Sequence, residues 1–477
     1  PGRHCRCQGW YDLAIAVSPT NADQVFIGGI NVWKSENGGT TWTPLSMWTY
    51  GNGIGYVHAD VHYLGFYGTR LFCTSDGGVF YSDDYGQEWH DISSGIANTQ
   101  FYRLSSAENF PDFILAGAQD NGCNRYISGD WTHVFGGDGM ETALDNTNPD
   151  IQYYSCQEGY IIKSTDGGDY FDEIAADTVG GWITPYLIHP SDQNMLFAGY
   201  ADVYKSLNGG LSWNKISDSL ANGNFIDQLA VASSNQDYIY ASESNDLYIT
   251  DNGGVNWTTR ILNPSQYITG IVVDEGNSEK IWVCATSYNS DAVYYSPDAG
   301  ANFSNITSNL TNLGFNCIIH EKGTVNGLYL GTNYGVYYTD SMLGQWIPYG
   351  DGLPNVIIRD FEINYQQKLL RTATYGRGIW EIPLYSDTTG LGEIQEGNGF
   401  TLYPNPSYGQ IYLNLSNFAN QLPIVYVYSI SGQLIKTIHV DKTLNIIDLS
   451  EQAEGTYFIK LQNQECIYVK RIALLRK

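Results

Sequence analysis

Basic residues are scarce in this chain: 23 Lys and Arg stand against 50 Asp and Glu, a formal charge of −27 over 477 residues. A surface with that field repels nucleic-acid phosphates and anionic membranes, which excludes both as partners. Long apolar runs are missing too, so no segment reads as a membrane-spanning helix and no membrane insertion is expected. Cysteines number only 8, too few for a dense disulfide framework, and they form no Cys-x-x-Cys pair or Cys/His cluster of zinc spacing. Cys73, Cys123, Cys156, Cys284 and Cys317 fall in or beside strand-like runs, where a buried thiol is the expected state, while Cys5 and Cys7 could pair elsewhere. Also absent are a Gly-x-Ser-x-Gly elbow, a phosphate loop and a dinucleotide fingerprint, which excludes the enzymes built on them.

What the chain has in abundance is a repeat. Seven times, at intervals close to forty-five residues, a Ser or Thr is followed at nearly fixed offsets by Asp or Asn, then Gly, then an aromatic residue. The copies run Ser35-x-Asn37-x-Gly39 closing on Trp42, Ser82-x-Asp84-x-Gly86 closing on Trp89, Ser164-x-Asp166-x-Gly168 closing on Phe171, and Ser206-x-Asn208-x-Gly210 closing on Trp213. Thr250-x-Asn252-x-Gly254 with Trp257, Ser296-x-Asp298-x-Gly300 with Phe303, and a worn copy from Thr339 to Trp346 with its glycine displaced to Gly344 complete the set. The interval between Ser82 and Ser164 is double, so residues 100–136 are expected to hold a unit that has lost its box, with Trp131 in the aromatic place. A period of this length, filled by several short strand-like runs per unit, is the mark of propeller blades and excludes helical solenoids.

The residue types follow from what a tight hairpin needs. The short Asp or Asn side chain accepts hydrogen bonds from the backbone ahead of it, the Gly supplies a positive φ, the hydroxyl ties the start, and the ring fills the gap beneath. The boxes therefore read as structural staples. On these residues the region 10–385 resembles the Asp-box (BNR) propellers of sialidases, xyloglucanase-type glycosidases and sortilin-like receptors. The resemblance implies a box on the hairpin between the outer two strands of each blade, away from the central ligand face. It leaves function open, since the fold carries enzymes and receptors alike. The chain departs from the sialidases in having no Arg-Ile-Pro segment and few arginines, which speaks against that activity.

An all-β chain with about eight blades, nine being the alternative, is expected over 1–385, with upstream sequence, further blades included, before Pro1. Residues 386–399 are rich in Asp, Thr, Gly and Glu without apolar periodicity and read as a linker. From residue 400 the acidic excess disappears, and six strand-like runs suit a small antiparallel sandwich. The landmarks are Leu402-Tyr403-Pro404-Asn405-Pro406-Ser407, Val427-Tyr428-Ser429-Ile430-Ser431-Gly432-Gln433, Gly455-Thr456-Tyr457-Phe458-Ile459-Lys460-Leu461 and the closing Lys470-Arg471 to Lys477. With them, residues 400–477 resemble the type A C-terminal sorting domain of the type IX secretion system of Bacteroidetes. That resemblance implies a partner, the type IX machinery, and a place: secreted, or held at the outer-membrane surface of a Gram-negative bacterium.

Departures from the repeat gather between residues 56 and 141. His58-Ala59-Asp60-Val61-His62 alternates polar and apolar, so on a strand His58, Asp60 and His62 would share one face, as a metal triad or as a hydrogen-bonded cluster between blades. Asp76, Asp120 and Asp138 sit in Gly-rich turns, and Glu141 follows. Two carboxylates from Asp60, Asp76, Asp120, Asp138 and Glu141 at a suitable distance would serve glycoside hydrolysis. The same oxygens would suit a structural Ca2+, and Asp-Gly turns are most often only turns. Gln119, Asn121 and Tyr56 are the expected ligand contacts.

The 38 Tyr and 12 Trp favour β-structure and also supply rings suited to stacking on sugars. The leading expectation is a secreted or surface binding or adhesion protein whose aromatic, acidic rim takes an extracellular polysaccharide or protein. A glycoside hydrolase acting on an extracellular polysaccharide is the first alternative. A structural unit of a larger adhesin or fibre is the second.

Overall fold

The chain divides into two compact units, residues 1–382 and 383–477. The computed structural model describes residues 9–49, 53–176, 178–262, 265–286, 291–388, 400–415, 424–430, 433–440, 442–462 and 467–476. Most of the expected linker and the cysteines Cys5, Cys7 and Cys466 lie outside the described residues.

In the first unit the described residues form eight four-stranded antiparallel sheets, one three-stranded sheet and a short parallel pair, Ser46–Met47 with Gly55–Tyr56, each from strands consecutive in sequence. Blade 1 covers residues 14–44 and blade 2 residues 61–91. Blade 3 is Phe101–Ala107, Phe110–Ala118, Gly122–Ile127 and Asp130–Phe135; blade 4 is Gly139–Leu144, Gln152–Cys156, Tyr160–Ser164 and Asp172–Glu173. Blades 5 to 8 fill 186–349 in the same way, and blade 9 is Ile358–Asn364, Leu369–Thr374 and Ile379–Pro383. The unit without a box, 100–136, is thus a full blade.

The repeat period suggests one ring of about eight blades, but the structure closes a smaller one. First strands pack blade on blade from blade 3 through blade 9, and blade 9 packs back onto blade 3. At that seam Phe101, Leu104, Ile114 and Ala116 share a core with Ala373 and Ile379, Gln100 bridges to Tyr375, and the Asp360 carboxylate accepts the Leu104 N–H at 3.0 Å. The ring therefore has seven blades. Blades 1 and 2 form a separate pair with their own core of Phe26, Val32, Val61, Leu64, Leu71 and Phe80. A period reports the repeating unit; which units become neighbours is decided by apolar faces that meet only in three dimensions.

The boxes lie between the third and fourth strands of their blades, and their hydrogen bonds account for every residue type in them. In blade 5, Ser206 Oγ accepts the Gly210 N–H at 2.9 Å and donates to Asn208 Oδ1 at 2.9 Å, which in turn accepts the Ser212 N–H. Ser82–Asp84–Gly86 and Ser296–Asp298–Gly300 repeat the pattern. In the worn copy Asp340 takes over, accepting the N–H groups of Met342 and Leu343. Four of the closing indoles reach across to the preceding blade: Trp89 Nε1 donates to Leu45 O, Trp213 to Ile174 O, Trp257 to Ile216 O and Trp346 to Ile306 O, whereas Trp42 donates to Gly39 O of its own box. Each box thus closes its own hairpin, and the four with these indoles also tie it to the preceding blade. Ser206→Ala is expected to cost about 1–2 kcal/mol in a denaturant titration, because the buried Gly210 N–H loses its acceptor.

The second unit is a two-sheet sandwich. Thr401–Tyr403, Gln410–Asn414 and Leu444–Asp448 make one sheet; Leu434–His439, Ile424–Ser429, Gly455–Gln462 and Ile467–Leu474 make the other. Alternating inward residues, among them Ile411, Leu413, Val425, Val427, Ile447, Ile459 and Leu461, are buried in its core. Among the described residues helix is limited to single turns.

Candidate functional site

Blades 2 and 3 each place an acid in the turn between their second and third strands: Asp76 follows Arg70–Ser75 and Asp120 follows Phe110–Ala118. The two turns meet where blade 2 abuts the ring. His58 Nε2 donates to the Asp120 carbonyl at 2.9 Å, and Asn121 Nδ2 donates to the Asp76 carbonyl at 3.0 Å. Glycine is dictated beside this contact: a Cβ on Gly77 would lie 2.1 Å from the His58 ring. Asp120 itself holds a φ of 57°, a left-handed conformation that surrounding contacts must maintain.

Both acids are built into hydrogen-bond networks, Asp76 through its carboxyl and Asp120 through its backbone. Asp76 accepts from His62 Nε2 at 2.7 Å and from the Tyr11 hydroxyl at 2.8 Å, and the Tyr11 ring stands edge-on to His62. Asp138 lies behind Asp120, its Oδ1 accepting the Asp120 N–H at 2.7 Å. Burial, with the charges of Asp138 and Asp76, pushes the Asp120 carboxyl up to about 6. Asp12, next to Tyr11, is only 1% exposed, and burial together with Asp60 raises it as well.

The turns open on a cleft of about 870 Å3 whose lining includes Tyr11, Asp76, Gln119, Asp120, Asn121, Trp131, Tyr375 and Arg377. Trp131 is 47% exposed and stacks on Phe101 with ring centres 5.7 Å apart; the Arg359 guanidinium lies 4.7 Å from the Tyr375 ring. Of the sequence candidates, Asp76, Asp120, Gln119 and Asn121 are thus brought together, with Asp138 supporting them. Trp131, expected only as a box aromatic, instead lines the cleft from an outer strand. Tyr11 and Tyr375 carry no sequence signal, because the ring seam and the blade pair bring them in from the two ends of the unit.

Other candidates fall elsewhere. His58, Asp60 and His62 do not share a strand face: the strand starts at Val61, and Asp60 has a φ of 62° that turns the chain between the imidazoles. Among the described residues no group of three or more His, Cys, Asp and Glu is placed to hold a metal ion. Tyr56 packs its ring against Phe80 in the core of the blade pair and is not part of the cleft lining.

Glu141 lies in a separate cavity of about 470 Å3, lined by the first strands of blades 3, 4, 5, 6 and 9, where it pairs with Arg103 at 3.2 Å near Asp360 and Glu362. Burial pushes Glu141 up to about 8 against the opposing pull of Arg103, and burial with the charge of Asp360 pushes Glu362 up to about 8. In the unfolded chain these carboxyls titrate near about 4.3. Between the two values the native protein holds protons that the unfolded chain has released, so stability from these groups falls as pH rises through that window. The thermal midpoint is expected to be higher at about pH 6 than at about pH 8.5. Glu141→Gln should flatten this dependence, and a midpoint that rises with pH over the same interval would contradict the assignment.

The profile described as a secretion system C-terminal sorting domain matches residues 401–474. No curated protein matches the chain in sequence. Among solved structures, the chain is similar to the GH74 enzyme of Niastella koreensis, at 19% identity and a TM-score of 0.54 over 77% of this chain and 59% of that one. It is also similar to the GH74 xyloglucanase of Xanthomonas campestris, at 14% identity and 0.52 over 77% and 58%. PorZ of Porphyromonas gingivalis, a surface component of the type IX secretion system, aligns over 95% of this chain and 69% of its own at 15% identity and 0.51. Likeness at this identity shows the fold alone. The chain spans 59% and 58% of the length of the two glycosidases.

Proposed function

We propose that this protein, carried through the type IX machinery by its sorting domain, binds an extracellular glycan in the cleft between blade 2 and the ring and hydrolyses it there. The sorting domain makes it a secreted or cell-surface protein of a Bacteroidetes bacterium. The substrate is accordingly a polymer met outside the cell.

One observation carries the reading: a carboxyl raised to about 6, Asp120, shares an open cleft with a second, separately bonded carboxylate, Asp76. Glycosidic cleavage needs that division, one acid still protonated at mildly acidic pH and one carboxylate for the cationic sugar or the attacking water. Asp120 gives its proton to the leaving oxygen as the C–O bond breaks, and Asp76 is the second carboxylate. Trp131 and Tyr375 offer ring faces to sugars on either side. The likeness to GH74 enzymes agrees with this by analogy of fold only.

Incubation of the full chain with plant, algal and bacterial polysaccharides, with reducing ends assayed and retention followed by affinity electrophoresis, tests the reading. Release from one polymer, with retention of that polymer weakened by Trp131→Ala, is the expected result. Retention without release would return the protein to a binding or adhesion role.

A further inference from the structure

Cys123 and Cys156 come from different blades and meet at their interface. Cys123 is the second residue of Gly122–Ile127 in blade 3, just past the Asp120 turn; Cys156 ends Gln152–Cys156 in blade 4. The backbones approach closely there: Gly139, the register partner of Cys156, would place a Cβ 2.8 Å from the Cys123 nitrogen. The Cys123 thiol donates to the carbonyl oxygen of Ser155 at 3.3 Å, which sets its sulfur beside the Cys156 side chain. Cys156 in turn donates to Gly136 O at 3.2 Å, two residues before Asp138. Both sulfurs sit in one apolar cluster with Leu115, Tyr154 and Ile162.

We propose that Cys123 and Cys156 are a modification site, oxidised during export to a disulfide that cross-links blade 3 to blade 4 behind the Asp120 and Asp138 turns. The oxidant is a protein disulfide of the periplasm. The thiolate of Cys156 attacks it, giving a mixed disulfide and one released thiol. Cys123 then displaces the second sulfur, so that one S–S bond forms, the oxidant leaves as a dithiol, and its sulfurs take up the two protons and two electrons. Cys156 is the better first nucleophile, since it is the less buried of the two. The bond forms while the blades assemble, before burial closes over it.

The test uses the full chain purified from the culture medium or periplasm of an expressing bacterium, alkylated in denaturant without reductant, digested and weighed. The expected result is a linked peptide pair containing Cys123 and Cys156 that separates on reduction. Complete alkylation of both cysteines without reductant, or linkage of either to another cysteine, would overturn the proposal. Reduction should also lower the thermal midpoint of the wild type by several degrees while leaving a Cys123→Ser, Cys156→Ser double variant unmoved; equal lowering in both would count against the bond.

Discussion

Asp120→Asn should reduce polysaccharide hydrolysis by about 100-fold or more, the usual scale for loss of a general acid, while leaving the thermal midpoint close to wild type. The amide keeps the size of the side chain but has no proton to give. Asp138→Asn offers a finer test, because its amide oxygen can still accept the Asp120 N–H while the charge behind Asp120 is gone. Asp138 is the largest charge raising Asp120. If Asp120 is the acid, the fall in rate on the alkaline side of the pH profile lies near about 6 in the wild type and moves to lower pH in Asp138→Asn. An unmoved limb, or full activity in Asp120→Asn, would remove Asp120 from the chemistry.

The largest stability effect is expected at the ring seam. Arg371 is only 1% exposed, and its guanidinium holds Glu381 Oε1 at 2.8 Å, Gln367 Oε1 at 2.8 Å and the Pro111 carbonyl of blade 3. It therefore ties the last blade to the first blade of the ring. Arg371→Ala removes three hydrogen bonds and leaves the space of a fully buried side chain empty, at an expected cost of about 3–5 kcal/mol in a denaturant titration. Arg371→Lys should recover only part of this, because an ammonium cannot reproduce the planar fork. A loss under about 1 kcal/mol in Arg371→Ala would mean that apolar packing of Phe101 and Leu104 closes the ring unaided.

The blades were legible because their chemistry is local. A hydroxyl, a short amide or acid and a glycine must stand at fixed offsets to close one hairpin, so Ser206, Asn208 and Gly210 declare themselves in sequence, and so does the sandwich with its alternating Val425 and Val427. Ring size was not legible. Closure depends on Asp360 meeting Leu104 and Gln100 meeting Tyr375, pairs separated by most of the unit, and no periodicity encodes them. The candidate site divides along the same line. Asp76, Asp120 and Asp138 stood out as acids that interrupt the repeat in Gly-rich turns, whereas the misplaced triad His58, Asp60 and His62 rested on strand alternation that the left-handed Asp60 breaks. Glu141 looked like its neighbours in sequence yet faces the ring's inner cavity, since it lies within a first strand and not in a turn.

The most direct measurement of the central claim is a time course of reducing-end release at mildly acidic pH by the full chain and by its Asp120→Asn variant, on any polysaccharide that the protein retains. Linear release by the wild type with none above background in the variant is the predicted result. Equal release by both proteins, or none by either while both retain the polymer equally, would contradict hydrolysis at the Asp76–Asp120 cleft.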